Sequence, residues 1–184
     1  IEKEQAKAKT LAQRVRTLPG ELKEISAKLD ALALDKGPEQ LKSEYATMSL
    51  AELDNRQPEI MANMQEAQEA LGTIGSQITN LQTLPERAQA NMSRAYQRSQ
   101  EIRTRLNSGD GVSSAEKMKL NTELVLLDLQ LANLQKELDN RTSMQDLAVK
   151  QRDYQSARLA HEEQKLQALQ EQSSAKRLGD TEKT

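Results

Sequence analysis

Residues 50–106 read LAELDNRQPEIMANMQEAQEALGTIGSQITNLQTLPERAQANMSRAYQRSQEIRTRL, and the spacing of their apolar side chains decides the fold. Leu50, Leu53, Ile60, Met64, Ala67, Leu71, Ile74, Ile78, Leu81, Ala88, Met92, Ala95, Ile102 and Leu106 recur on one alternation of three and four. Gln57, Pro85 and Ser99 fill the remaining slots of that frame. Residues spaced in this way line one side of an α-helix and need partner helices along its whole length. The partners must come from elsewhere in the chain or from other copies of it.

The rest of the chain offers such partners. Ile1, Glu4, Ala8, Leu11, Val15, Leu18, Leu22, Ile25, Leu29 and Leu32 form a second three-four seam, which predicts a first helix over about residues 1–34. Pro19 removes one backbone donor from it, yet the register is the same on both sides. A kinked helix held by packing is therefore expected, the alternative being two shorter helices. Lys36-Gly37-Pro38 closes this element, and residues 38–48 form a connection with room for one helical turn around Leu41. Ser49 and Glu52 then make a capping box at the head of the long helix, over about 49–106, with Gln57-Pro58 as an alternative start. Gly72 and Gly75 soften its middle, and Pro85 should bend it.

Asn107-Ser108-Gly109-Asp110-Gly111 is the clearest turn, and Ser113 with Glu116 caps a third helix over about 113–139. Leu120, Leu124, Leu127, Leu131, Leu134 and Leu138 hold its main frame, while Val125, Leu126 and Leu129 add a second face. A helix apolar on more than one side is expected to lie buried between neighbours. Asp139-Asn140-Arg141-Thr142-Ser143 reads as a tight hairpin before a fourth helix over about 143–178, whose stripe of Leu147, Tyr154, Leu159, Leu166 and Leu169 is more polar. At 1.5 Å per residue the first helix and the long helix's first arm are ~51 and ~54 Å, a match for an antiparallel pair. The fourth helix is long enough to reach back beside them. The expected fold is all-α: a single elongated antiparallel bundle or coiled coil over residues 1–184, spectrin-like, with one long kinked helix shared by two segments.

Composition narrows the function. Aromatic residues are 2% of the chain, and Leu, Ala, Ile and Met supply the core, which suits a thin bundle better than a thick globule. With 26 basic and 28 acidic residues intermixed, no basic stripe for nucleic acid and no basic amphipathic face for lipid stands out. No apolar run approaches a bilayer span, so no membrane crossing is expected here. The chain has no Cys, and it opens at Ile1 with neither initiator Met nor signal-peptide pattern, as expected for a fragment of a larger protein. His161 is the only histidine; beside Glu162 and Glu163 it reads as a half-exposed helix position, and runs such as Glu162-Glu163-Gln164-Lys165 read as a solvated face. There is no phosphate loop or convincing calcium loop, and no catalytic, cofactor-binding or metal-binding residue is expected.

Two stretches carry a resemblance. Leu81-Gln82-Thr83-Leu84-Pro85-Glu86-Arg87-Ala88-Gln89 continues to Ile102-Arg103-Thr104-Arg105-Leu106. Gln151-Arg152-Asp153-Tyr154 is followed by Ser156-Ala157-Arg158-Leu159, Leu166-Gln167-Ala168-Leu169-Gln170-Glu171, Lys176-Arg177-Leu178 and Thr181-Glu182-Lys183-Thr184. From about Ser49 onward the chain resembles the N-terminal periplasmic region of the large, potassium-dependent members of the small-conductance mechanosensitive channel family. That resemblance implies a helical extension on the periplasmic side of the bacterial inner membrane, attached to a channel that releases solutes on osmotic down-shock. It also implies a homoheptamer, with the rest of the channel and neighbouring protomers as partners. It assigns neither a pore residue nor a potassium site. From another class, a coiled-coil scaffold or adaptor of a periplasmic efflux or secretion assembly would share the same helical pattern.

Overall fold

A computed structural model describes residues 1–109 and 111–182. It contains α1 (Glu2–Ala33), α2 (Pro38–Ala46), α3 (Leu50–Ser108) and α4 (Ser114–Thr181), with no strand among the described residues. The chain is an all-α helical bundle. Its contacts divide into two compact units, residues 1–21 with 78–146 and residues 22–77 with 147–184.

Helix directions follow from which residues meet. In the first unit Arg98 pairs with Glu123 and Arg105 with Glu116, so numbers rise along α3 as they fall along α4. These two helices are antiparallel. Glu4 meets Asn133 and Lys7 meets Glu137, numbers rising together, so α1 runs parallel to α4. The second unit repeats the pattern: Glu66 with Arg158 and Asp54 with Arg177 are antiparallel contacts. Ser26 with Lys150 and Asp35 with His161 are parallel ones, and α2 continues in that direction through Lys42 with Glu171 and Ala46 with Lys176.

The two seams are realised as written except at Ile1, which precedes α1 and is 40% exposed. Each apolar position named between Leu50 and Leu106 is buried or half-buried, as are Gln57, Pro85 and Ser99. In the first unit Leu11, Leu18, Leu84, Ala88, Ala95, Ile102 and Leu120 are buried. In the second, Leu41, Tyr45, Leu53, Ile60, Ala168 and Leu169 make one cluster, with Met48, Met64 and Leu166 against it. Both proline-containing seams stay helical: α1 runs unbroken through Pro19, and α3 begins before Pro58 and continues past Pro85. The expected capping box is present, with Ser49 N–H donating to Glu52 Oε2 at 2.7 Å and Glu52 N–H to Ser49 Oγ at 3.2 Å. At the second expected box, Glu116 N–H donates to Ser113 Oγ, while the Glu116 carboxylate takes the Arg105 guanidinium. Gly109 and Gly111 have φ of +68° and +80°, a conformation that favours glycine, and Asp110 between them lies outside the described residues.

Three expectations are corrected. Residues 38–48 hold more than a single turn: α2 is a nine-residue helix, started by Pro38 and anchored by Leu41 and Tyr45, one turn apart and both buried. The hairpin at 139–143 and the break between helices over 113–139 and 143–178 are absent, because α4 is one helix of 68 residues. That stretch has a polar, turn-like composition but neither Gly nor Pro to enforce a turn, and its side chains are accommodated on a helix. Gln135 Nε2 donates to Asp139 Oδ1 and Asn140 Nδ2 to the Lys136 carbonyl, both one turn back or forward. Nor are the leucines of the expected third helix deeply buried: beyond Leu120, residues Leu124, Leu126, Leu127, Leu129, Leu131, Leu134 and Leu138 are half-buried, and Val125 is 49% exposed. In a unit of three helices each has only two neighbours, too few to cover two apolar faces.

Candidate functional site

A polar pocket lies in the second unit, where the segment after α1 meets α2, α3 and α4. It is a cavity of about 230 Å³ lined in part by Asp35 and Lys36, by Glu44 and Tyr45 of α2, by Arg56 and Glu59 of α3, and by His161, Glu162 and Lys165 of α4. Local structure places each group. α1 ends at Ala33, and Asp35 stays close to it through its N–H to the Leu32 carbonyl. Asp35 Oδ1 accepts the Lys36 N–H at 2.8 Å, which, more than the neighbouring His161 and Lys165, holds the Asp35 carboxyl below its usual range. Lys36 reaches over to pair with Glu44. The Tyr45 hydroxyl is pushed up, first by burial and then by Glu44.

On α4, Glu162 is 5% exposed. Its Oε1 accepts Lys165 Nζ at 2.8 Å, while its Oε2 has no hydrogen-bond partner and is closed off from solvent. His161 Nε2 is 3.1 Å from Asp35 Oδ2, near enough for an ion pair when the imidazole is protonated but not aligned as a hydrogen bond. The lining thus gathers four carboxylates (Asp35, Glu44, Glu59, Glu162) against Lys36, Arg56 and Lys165, with His161 beside Asp35. Such an arrangement can hold the end of α1, and α2, on α4 by paired charge. Among the described residues no three His, Cys, Asp or Glu side chains gather as a metal ion would require.

This geometry alters two readings of the sequence. The His161 side chain is 11% exposed, well short of half-exposed, and Glu162 is core rather than solvated face. Glu163 and Gln164 do face solvent as expected. Neither Asp35 nor Glu162 stands out by residue type. The missing signal is positional: from Leu138, the three-four frame of α4 continues through Arg141, Gln145, Ala148, Gln151, Gln155, Arg158, Glu162, Leu166, Leu169 and Ser173, and every one of these is buried or half-buried. Most are polar, so an apolar count passes over the very stripe that faces the other helices.

Interhelical ion pairs elsewhere repeat the theme at the surface. Arg98 grips Glu123 with Nε and Nη2 at 2.7 and 3.0 Å, and Glu123 is held below its usual range chiefly by that guanidinium. Arg158 does the same for Glu66 at 2.7 Å. In class, this is an all-helical domain with ion pairs from helix to helix. The chain belongs to the mechanosensitive ion channel porin domain family, which it matches over residues 1–184.

At the level of individual proteins, the chain is 36% identical over 178 residues to mechanosensitive channel MscK of Escherichia coli (strain K12). The alignment covers 95% of this chain and 16% of that protein. No solved structure matches the chain. The family is one of channels rather than of enzymes. Among the described residues no helix is long and apolar enough to cross a membrane.

Proposed function

We propose that this chain is a structural and regulatory domain of a mechanosensitive channel, standing on the periplasmic side of the inner membrane and modulating gating through helix packing. The observation that carries the reading is the family match over the full length of the chain. Family membership also favours a channel over a coiled-coil adaptor of an efflux or secretion assembly.

On this reading residues 1–184 form one periplasmic domain of a larger polypeptide, with neighbouring protomers of a homo-oligomer, a heptamer by family, as partners. The half-buried leucines of α4 in the first unit are consistent with further protein packing there. Charge pairs between helices, such as Arg158 with Glu66 and Arg98 with Glu123, set the stiffness with which the domain resists rearrangement. The domain has no catalytic role, needs no cofactor, and contacts no nucleic acid. Its contribution is to the tension, and to the dependence on external potassium, at which the channel opens during osmotic down-shock.

The test is cell survival and solute release after graded down-shock at several potassium concentrations. Cells lacking their own mechanosensitive channels would carry the full-length native protein with or without residues 1–184. Release that persists but begins at a different shock size or potassium level supports the proposal. Superimposable curves for a truncated channel that is present in the membrane would overturn it.

A further inference from the structure

Proline has no amide N–H, so in an α-helix the carbonyl four residues earlier loses its partner, and the ring crowds that same carbonyl. α3 contains Pro58 and Pro85, and α1 contains Pro19. Pro19 and Pro58 are exposed and lie off the seams. Pro85 differs: it occupies a seam position and is half-buried, as is Leu81, whose carbonyl it leaves open. A buried unpaired carbonyl costs about 1–3 kcal/mol. In the first unit that carbonyl is not left alone. Arg141 of α4 donates Nε to the Leu81 oxygen at 2.7 Å.

The neighbouring turn is reinforced from within α3. Arg87 Nη2 donates to the Asn80 carbonyl at 2.8 Å, and Thr83 Oγ1 donates to the Thr79 and Asn80 carbonyls while accepting Arg87 Nε. Of these groups only Arg141 belongs to another helix. It also sits within the stretch 139–143 whose composition resembles a turn, at the first frame position after Leu138. A polar residue at a seam position is thus matched to a vacancy in the facing helix.

We propose that Arg141 is a lock between α4 and α3: it supplies, from α4, the hydrogen-bond donor that Pro85 removes, and thereby keeps α3 helical and in register with α4 at this level. Arg141 is a positioning residue for the Pro85 turn, and releasing it would open α3 between Leu81 and Pro85. The inference stands on the first unit's geometry and does not depend on the channel reading.

A double-mutant cycle tests it. Arg141→Met keeps the length and apolar stem of the side chain but has no donor, and Pro85→Ala restores the missing amide. In the 184-residue chain, hydrogen exchange of the amides around residues 82–89 is measured for the parent, both single variants and the double variant. Arg141→Met should accelerate exchange there by roughly tenfold or more when Pro85 is present. In the Pro85→Ala background the same change should accelerate it only slightly, because the Leu81 carbonyl then has its own intrahelical partner. Equal acceleration in both backgrounds would mean that Arg141 acts by packing alone and overturns the proposal, as would no acceleration in either. If Arg141→Met alone fails to fold, the double variant decides: it should recover the parent's far-ultraviolet dichroism, and failure to do so also overturns the proposal.

Discussion

Thr142→Pro asks whether α4 truly runs through residues 139–143. Thr142 is exposed, so replacing it removes little packing and isolates the backbone effect. In a continuous helix the new proline removes the N–H that bonds to the Leu138 carbonyl and presses its ring against that group, a cost of about 3 kcal/mol or more. Leu138 is half-buried, so water relieves the open carbonyl only in part. Against the roughly 5–15 kcal/mol that stabilises an ordinary domain, this is a large fraction. It corresponds to a fall in midpoint of roughly 6–12 °C for a chain of this size. In a hairpin the same substitution would be neutral or mildly stabilising, since proline restricts the unfolded chain. Urea and thermal unfolding followed by circular dichroism, with Thr142→Ala as the control, separate the two cases. A Thr142→Pro chain within about 0.5 kcal/mol of the control would refute the continuous helix.

Other perturbations probe other parts of the account. Leu53→Ala removes a side chain with 0% exposure from the second unit's core and should cost about 2–5 kcal/mol by chemical denaturation; a cost under one would mean the cluster is loose. Ser49→Ala deletes the side-chain cap of α3 and should cost about 1 kcal/mol by chemical denaturation, while the backbone N–H of residue 49, which the variant keeps, still holds the Glu52 carboxyl below its ordinary value. A variant as stable as the parent would contradict the observed cap. Gly72 is exposed, with open space where a Cβ would stand, so Gly72→Ala should stabilise by roughly 0.5–1 kcal/mol. Asp35 has a folded-state pKa below its ordinary value, so its stabilising contribution is complete at neutral pH and is lost as pH falls through the depressed value. Asp35→Asn should therefore lower stability at neutral pH and lessen its decline on acidification; parallel curves for the two chains would remove Asp35 from the account.

The seams of α1 and α3 were legible because apolar residues hold nearly every slot. Ser49-Glu52 was equally clear, since that pair satisfies two helix-end donors by known geometry. The continuity of α4 was hidden. Its frame passes from leucine into Arg141, Gln145, Gln155, Arg158 and Glu162, and two of these polar residues have partners that only the fold supplies. Arg141 answers Pro85, and Arg158 answers Glu66. The polar cavity was illegible for the same cause. Asp35 and His161 are distant in sequence, and nothing local says that a glutamate between His161 and another glutamate is the one that turns inward.

Patch-clamp recording of the full-length channel, with and without residues 1–184, tests the proposed role most directly. Unitary conductance should be unchanged and the pressure threshold for opening shifted. An identical threshold and potassium response in the truncated channel would contradict it.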